Sequence, residues 1–256
     1  MTKAALPDSF ARVPLAHRAL HDVADGRPEN SRAAICAAVE AGYGIEIDLQ
    51  LSSDGEAMVF HDYHLERLTE TQGAVQLFTA AALKETPLRG GDEGIPDLAE
   101  VLTLIGGQVP LLIELKDQDG AMGSNVGTLE RAIAEALVGY VGDVAVMSFN
   151  PNSIAMMQEL CPDVPRGLAT CAYDTHEWPL SDAVCERLRA IPDYDRVGAS
   201  FISHEVNDLD RARVNELKQA GAFICCWTVS SAEQEQQARR MADTITFESY
   251  LAAPPA

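Results

Sequence analysis

The sequence predicts a (β/α)8 barrel, the TIM-barrel fold, with an inserted segment after the second strand. Three observations predict it. Short apolar runs of strand character alternate eight times with helical segments. The chain has 256 residues, close to the roughly 250 that such a barrel uses. Side chains able to do chemistry fall at the C-terminal ends of the strands, the end where these barrels build their active sites. A doubly wound open sheet is the alternative the same alternation allows. No break in composition marks a second domain, so residues 1–256 read as one unit.

Residues 13–16 form a short apolar strand that ends on His17 and Arg18. Asn30 or Ser31 caps a helix over residues 32–41, closed by Gly42. Residues 44–51 alternate, with Ile45, Ile47, Leu49 and Leu51 on one face and Glu46, Asp48 and Gln50 on the other. Ser52-Ser53-Asp54-Gly55 is a turn, and residues 57–60 return as a strand that delivers His61 and Asp62 beside the carboxylates. Residues 63–94 are too long and too irregular for an ordinary loop; they read as an insertion near the active mouth, with a short helix over 79–85. Pro96 and Asp97 start a helix through residue 105.

Beyond this point the rhythm is regular. Strands are expected over 109–116, 144–149, 166–170, 197–202, 223–229 and 244–247. Helices are expected over 128–141, 152–160, 181–190, 208–220 and 232–241. On the strand over 109–116, Leu112, Glu114 and Lys116 share one face; on that over 223–229, Cys225, Trp227 and Val229 do. Glu114 and Lys116 therefore point into the mouth beside Glu46 and Asp48, with Trp227 near the rim. Three carboxylates, two histidines, an arginine, a lysine and a tryptophan converge there.

Composition narrows the function. With 19 Lys and Arg against 39 Asp and Glu, the net charge is −20, a field that repels polyanions and argues against nucleic acid or anionic membranes as partners. A small anionic substrate needs a cation or clustered basic groups to reverse the potential locally. No apolar run reaches the roughly 18 residues that span a bilayer, and no basic then apolar leader opens the chain, so a cytoplasmic protein is expected. The six cysteines lack CxxC spacing and are expected to be buried, reduced thiols.

The chain resembles the glycerophosphodiester phosphodiesterase family over nearly its whole length. The residues that carry the resemblance are His17-Arg18, Pro28-Glu29-Asn30-Ser31, Ile45-Glu46-Ile47-Asp48-Leu49, Ser53-Asp54-Gly55, His61-Asp62 with Leu65 and Arg67, Ile95-Pro96, Ile113-Glu114-Leu115-Lys116, Ser148-Phe149 and Trp227-Thr228-Val229. The resemblance implies hydrolysis of deacylated phospholipids to an alcohol and sn-glycerol 3-phosphate. It implies Glu46, Asp48 and Glu114 as metal ligands, His17 and His61 as the acid/base pair, and Arg18 and Lys116 as phosphate contacts. Two positions depart from the family pattern: Ala19 stands where a glycine usually follows His-Arg, and Thr246-Phe247, followed by Glu248, replaces Thr-Asp. The first is expected to narrow the backbone's approach to phosphate, the second to change the mouth.

The chemistry also stands on the residues themselves. Carboxylate oxygens select a hard cation, Mg²⁺ or Ca²⁺, over zinc. One histidine takes a proton from water, or from the glycerol 2-hydroxyl if a cyclic phosphate forms first, and the other protonates the leaving alkoxide; which does which stays open. A related phosphodiesterase that releases a cyclic phosphate and a non-catalytic anion-binding barrel are the competing readings.

Overall fold

Alternation decides which side of each strand meets the helices. The computed structural model, which describes residues 3–176 and 178–253, carries that pattern around a closed sheet. A short helix α1 (Ser9–Arg12) precedes β1 (Leu15–Ala16), α2 (Arg32–Ala41), β2 (Gly44–Leu51), β3 (Ala57–Val59), α3 (Ala80–Lys84) and α4 (Leu98–Ile105). Then follow β4 (Leu111–Leu115), α5 (Thr128–Ala136), β5 (Val144–Ser148), α6 (Pro151–Leu160), β6 (Arg166–Thr170) and α7 (Asp182–Arg189). The last turn of the barrel is β7 (Phe201–Glu205), α8 (Ala212–Gln219), β8 (Phe223–Val229), α9 (Ala232–Ala238) and β9 (Thr244–Phe247). The strands run β1-β9-β8-β7-β6-β5-β4-β2, and the β1–β2 pairing closes the ring, all of it parallel. β3 hangs antiparallel from the outer half of β2. The expected TIM barrel is the observed one.

Ile45, Ile47, Leu49, Leu111, Ile113 and Leu115 are fully buried in the layer between strands and helices, each worth about 1.5–3 kcal/mol on burial. Inside the ring the side chains change character along its axis. Leu15, Leu112, Ala145, Met147, Ala169, Phe201 and Cys225 fill it with an apolar cluster that Phe10 of α1 joins; Glu46, Asp48 and Glu114 stand at the other end. The N-terminal helix was not visible in the sequence because four residues are too few for periodicity to register.

Several boundaries differ from expectation. Pro14 cannot donate to a ladder, and the first strand shrinks to Leu15–Ala16. Residues 197–200 are not strand, because turns closed by Val197 N to Asp193 O and Gly198 N to Asp195 O, with Gly198 at φ 59, hold them; β7 starts at Phe201. Asp208 does not open a helix: it ends a 3-10 turn (Val206–Asp208), and its carboxylate binds His204 and Arg211. The helix expected to run to residue 141 stops at Ala136. Of the six cysteines, Cys36 is exposed and Cys161 half-buried, while the other four are buried; all are free thiols.

Ser31 is the cap of α2, its Oγ accepting from Ala34 N at 3.1 Å, which frees Asn30 for other work. Of residues 63–94, Tyr63 and His64 line the cavity at the barrel mouth that also holds Glu46, Asp48 and Glu114. Much of the rest packs on its own small core, where Leu65, Val75, Ala80, Leu83 and Leu88 meet Met58 and Phe60. The insertion supplies one rim of the mouth and leaves the remainder to other loops.

Ala19 sits at φ 65, the left-handed region that favours glycine. Its N–H donates to the carbonyls of Ala16 and Glu46, tying the end of β1 to β2, and it does not line the cavity. The departure from glycine is thus felt in the backbone, as a left-handed conformation at a residue with a Cβ. Relief of about 1–2 kcal/mol of left-handed strain opposes a lost buried methyl, about 0.8 kcal/mol, and the added chain freedom of glycine, about 0.4–1 kcal/mol. Ala19→Gly should therefore leave the urea midpoint nearly unchanged; a shift beyond about 1 kcal/mol would show that one side of this balance is mistaken.

Candidate active site

Strand register builds the acidic cluster. Asp48 of β2 lies directly opposite Glu114 of β4, and Glu46 precedes Asp48 by two residues on the same face. One oxygen from each lies within 4.8 Å of the others, and all three residues are buried. Around them His17, Arg18, His61, Lys116 and Trp227 line the same cavity of about 500 Å³. All eight residues singled out in the sequence are brought together.

Buried like charges have to be offset. Lys116 Nζ sits 2.7 Å from Asp48 Oδ1 and 2.7 Å from Glu114 Oε1. Asn30 Nδ2 donates to Asp48 Oδ2 at 3.0 Å, and Arg18 N donates to Glu46 Oε2 at 3.0 Å. Burial alone would raise the Asp48 pKa, but Lys116, His61 and Arg18 pull it far below the usual carboxylate range. Burial alone would lower that of Lys116, and Asp48 and Glu114 instead hold it above the usual lysine value. Glu46 goes the other way: burial, then repulsion from Asp48 and Glu114, pushes it well above its usual value. An ammonium already occupies the place between two of the carboxylates, and the third remains undercompensated. Hard oxygen donors, mutual proximity and residual negative charge fit a divalent cation.

Arg18 is held by Glu29, at 2.8 Å, and Glu29 also receives Arg67 at 2.7 and 2.8 Å. Arg18 Nε is buried without a hydrogen-bond partner, 3.6 Å from Asp48 Oδ2, a donor left for an incoming acceptor.

Each histidine has its own carboxylate. His17 Nδ1 donates to Glu248 Oε2 over 2.6 Å, and His61 Nδ1 donates to Asp62 Oδ1 over 2.6 Å. Arg67 grips both oxygens of Asp62 at 2.6 and 2.8 Å. A carboxylate at Nδ1 fixes the tautomer and leaves Nε2 as the basic nitrogen. Burial is the main reason that the His17 pKa is lowered, against the raising effect of Glu248; Glu248 and Asp62 are both held well below the usual carboxylate range.

Glu248→Gln keeps an acceptor at Nδ1 but removes the charge that raises the His17 pKa, so that pKa should fall further. If His17 is the base, the acidic limb of kcat/KM then moves to lower pH; if it is the acid, the alkaline limb does. A profile with neither limb displaced would sever Glu248 from the chemistry.

The opposite wall is apolar. Phe149 packs edge-on against Trp227, with ring centroids 5.5 Å apart, and tilted against Trp178 at 5.0 Å; Met122 joins them. Trp178 and Met122 were missed in the sequence, where their position in loops after barrel strands was the available signal. Glu29, Asn30 and Asp62 stood in the motifs without a role at the site, and Glu248 was seen only as the residue after Phe247. Trp227 reaches the rim as expected, but Val229 does not share its face. Register between β8 and β9 shifts between Cys226 and Val229, which resets the alternation and buries Val229 in the helix-side layer. Phe247 also faces the helices, 4.8 Å from the Tyr43 ring and 5.6 Å from that of Tyr250; the next residue, Glu248, meets His17.

Fold and site together define a TIM barrel with a candidate active site at one mouth. Comparison gives the family: a sequence profile of the glycerophosphoryl diester phosphodiesterase family matches residues 17–246, and the chain belongs to that family. A glycerophosphodiester phosphodiesterase of Caldanaerobacter subterraneus is 33% identical over 150 residues, 55% of this chain and 60% of that protein. A glycerophosphodiester phosphodiesterase of Bacillus subtilis is 29% identical over 223 residues, covering 80% of this chain and 73% of that one. A phosphodiesterase of Oleispira antarctica, solved in complex with its product sn-glycerol-3-phosphate, shares the fold at a TM-score of 0.76 and 24% identity, over 94% of each chain. Among the described residues no helix is long and apolar enough to cross a membrane.

Proposed function

We propose that this protein hydrolyses glycerophosphodiesters to an alcohol and sn-glycerol 3-phosphate, with Mg²⁺ or Ca²⁺ held by Glu46, Asp48 and Glu114 and with His17 and His61 exchanging protons. The observation that carries this reading is the meeting, in one cavity, of three buried carboxylates with two histidines each held by a carboxylate. The product-bound relative of the same fold is consistent with it.

The free Nε of Arg18 and the Lys116 ammonium bind phosphate oxygens and orient the phosphorus. Held by Glu46, Asp48 and Glu114, a divalent cation would supply Lewis-acid polarisation of a phosphoryl oxygen and offset negative charge there. One histidine takes a proton from the attacking water as the new P–O bond forms. The other gives its proton to the alkoxide as the old P–O bond breaks, so each turnover leaves both histidines to be reset by solvent. The Phe149, Trp178, Trp227 and Met122 wall receives the departing alcohol's side of the substrate and excludes water from it.

Phosphorus NMR of a glycerophosphocholine digest tests the proposal. The expected product with Mg²⁺ or Ca²⁺ is sn-glycerol 3-phosphate, and excess chelator should abolish it. Accumulation of a cyclic phosphate would replace water by the glycerol 2-hydroxyl as nucleophile. Full activity in chelator would remove the metal from the scheme, and no product at all would leave an anion-binding barrel.

A further inference from the structure

The Glu248 carboxylate that holds His17 faces a second imidazole. His21 Nε2 lies 3.7 Å from Glu248 Oε2, the oxygen that receives His17 Nδ1 at 2.6 Å. That Nε2 is buried and has no hydrogen-bond partner, a condition that costs about 1–3 kcal/mol if it persists; a small rotation of either side chain satisfies it. His21 lies outside the reaction cavity. With Glu248 it lines a separate cavity of about 620 Å³, whose other charged walls are Asp22, Asp25 and Arg27. Those three are occupied with each other, Arg27 pairing with Asp22 at 3.9 Å and Asp25 at 3.2 Å, and Asp22 also caps the turn at Ala24 N.

We propose that His21 is a positioning residue for the reaction: it holds Glu248 at Oε2, the oxygen that His17 also meets, so that the carboxylate stays aimed at His17 Nδ1. The inference rests on the reading of His17 as a proton-exchanging group. A carboxylate accepts and cannot donate while ionised, so His21 must present Nε2–H to it. Glu248 follows directly on the last barrel strand and is half-buried; without a second donor its carboxylate is free to rotate toward the second cavity. A donor from His21 also draws charge from the shared oxygen, which limits how far Glu248 can raise the His17 pKa. Removing it should have the opposite sign to Glu248→Gln: His17 becomes more basic and less well oriented.

The test compares His21→Gln, which keeps an N–H donor of similar reach, with His21→Leu, which has none, and His21→Asn, which is too short, each checked for folding by its urea midpoint. Ring ¹⁵N shifts of His17 are followed against pH in parallel with glycerophosphocholine turnover. In His21→Leu and His21→Asn the His17 titration should rise by about half a pH unit and kcat should fall about tenfold with KM little changed, the size seen when an outer partner of a site residue is lost. His21→Gln should recover most of both. Unchanged His17 titration in folded His21→Leu or His21→Asn overturns the proposal, as does an equal loss in all three variants without displacement of the titration. If wild-type protein proves inactive, the functional reading fails while the ¹⁵N titrations still decide whether His21 acts on His17 through Glu248.

Discussion

Replacing His17 or His61 with alanine is expected to lower kcat on glycerophosphocholine by a factor of about 10² to 10⁴, with the acidic cluster still able to bind its cation. Both imidazoles line the cavity with Nδ1 held by a carboxylate, so on the proposed scheme either loss removes a proton carrier and not a ligand. The two variants should separate on a nitrophenyl phosphodiester. A nitrophenolate leaves with little protonation, so it rescues the variant that lacks the acid and scarcely helps the one that lacks the base. The double variant should fall little below the worse single one, since groups acting as a unit are strongly non-additive. Near-normal turnover of the natural substrate in both single variants would make these histidines structural.

Glu46→Gln should separate stability from activity. Glu46 is buried and meets repulsion from Asp48 and Glu114, which drives its pKa up, while Gln keeps its size and can still accept from Arg18 N. In excess chelator the variant should be more stable than the parent by about 0.5–2 kcal/mol, the usual gain from relieving a strained functional position. With Mg²⁺ or Ca²⁺ present it should lose activity by a factor of at least about 10² to 10³, and the cation should no longer raise its Tm. The pH dependence adds a sign. A carboxyl whose pKa is raised by folding is protonated more readily in the native state, so its cost to the fold is absent in acid and grows as pH rises above the unfolded value near 4.5. The stability gap between variant and parent should therefore widen from pH 4 to 7. A variant no more stable than the parent at pH 7 in chelator would show that Lys116 and Arg18 already offset all three charges.

The part of this site that could be read from the sequence is the part that a single strand encodes. Glu46 and Asp48 alternate with Ile45 and Ile47, and Glu114 with Ile113 and Leu115; a period of two fixes the face before any tertiary contact forms. Barrel closure then brings the faces together. What stayed hidden depends on partners far apart in the chain. Glu248 reaches His17 across 231 positions, and nothing near either residue announces the pairing. Asn30 and Ser31 were equivalent as caps until Asn30 adopted φ 58 and turned its amide to Asp48. Val229 was misassigned because alternation assumes an unbroken register, and β8 shifts against β9 just before it. The start of β7 was misplaced for a similar reason: Val197 and Ala199 are apolar and fully buried, but a chain of turns supplies that burial without a strand.

The two walls of the cavity have separate origins along the chain. His17, Arg18, Glu46, Asp48, His61 and Glu114 come from the first 114 residues, whereas Met122, Phe149, Trp178 and Trp227 all follow them. If the later wall holds the alcohol as proposed, selection for a different alcohol can act on side chains that hold no reacting group. On the proposed reading, point substitution at these wall residues, all of which follow Glu114 in the sequence, can change the alcohol accepted while the carboxylates and histidines are kept. Recombining the early segment of one relative with the late segment of another should transfer leaving-group preference with the late segment.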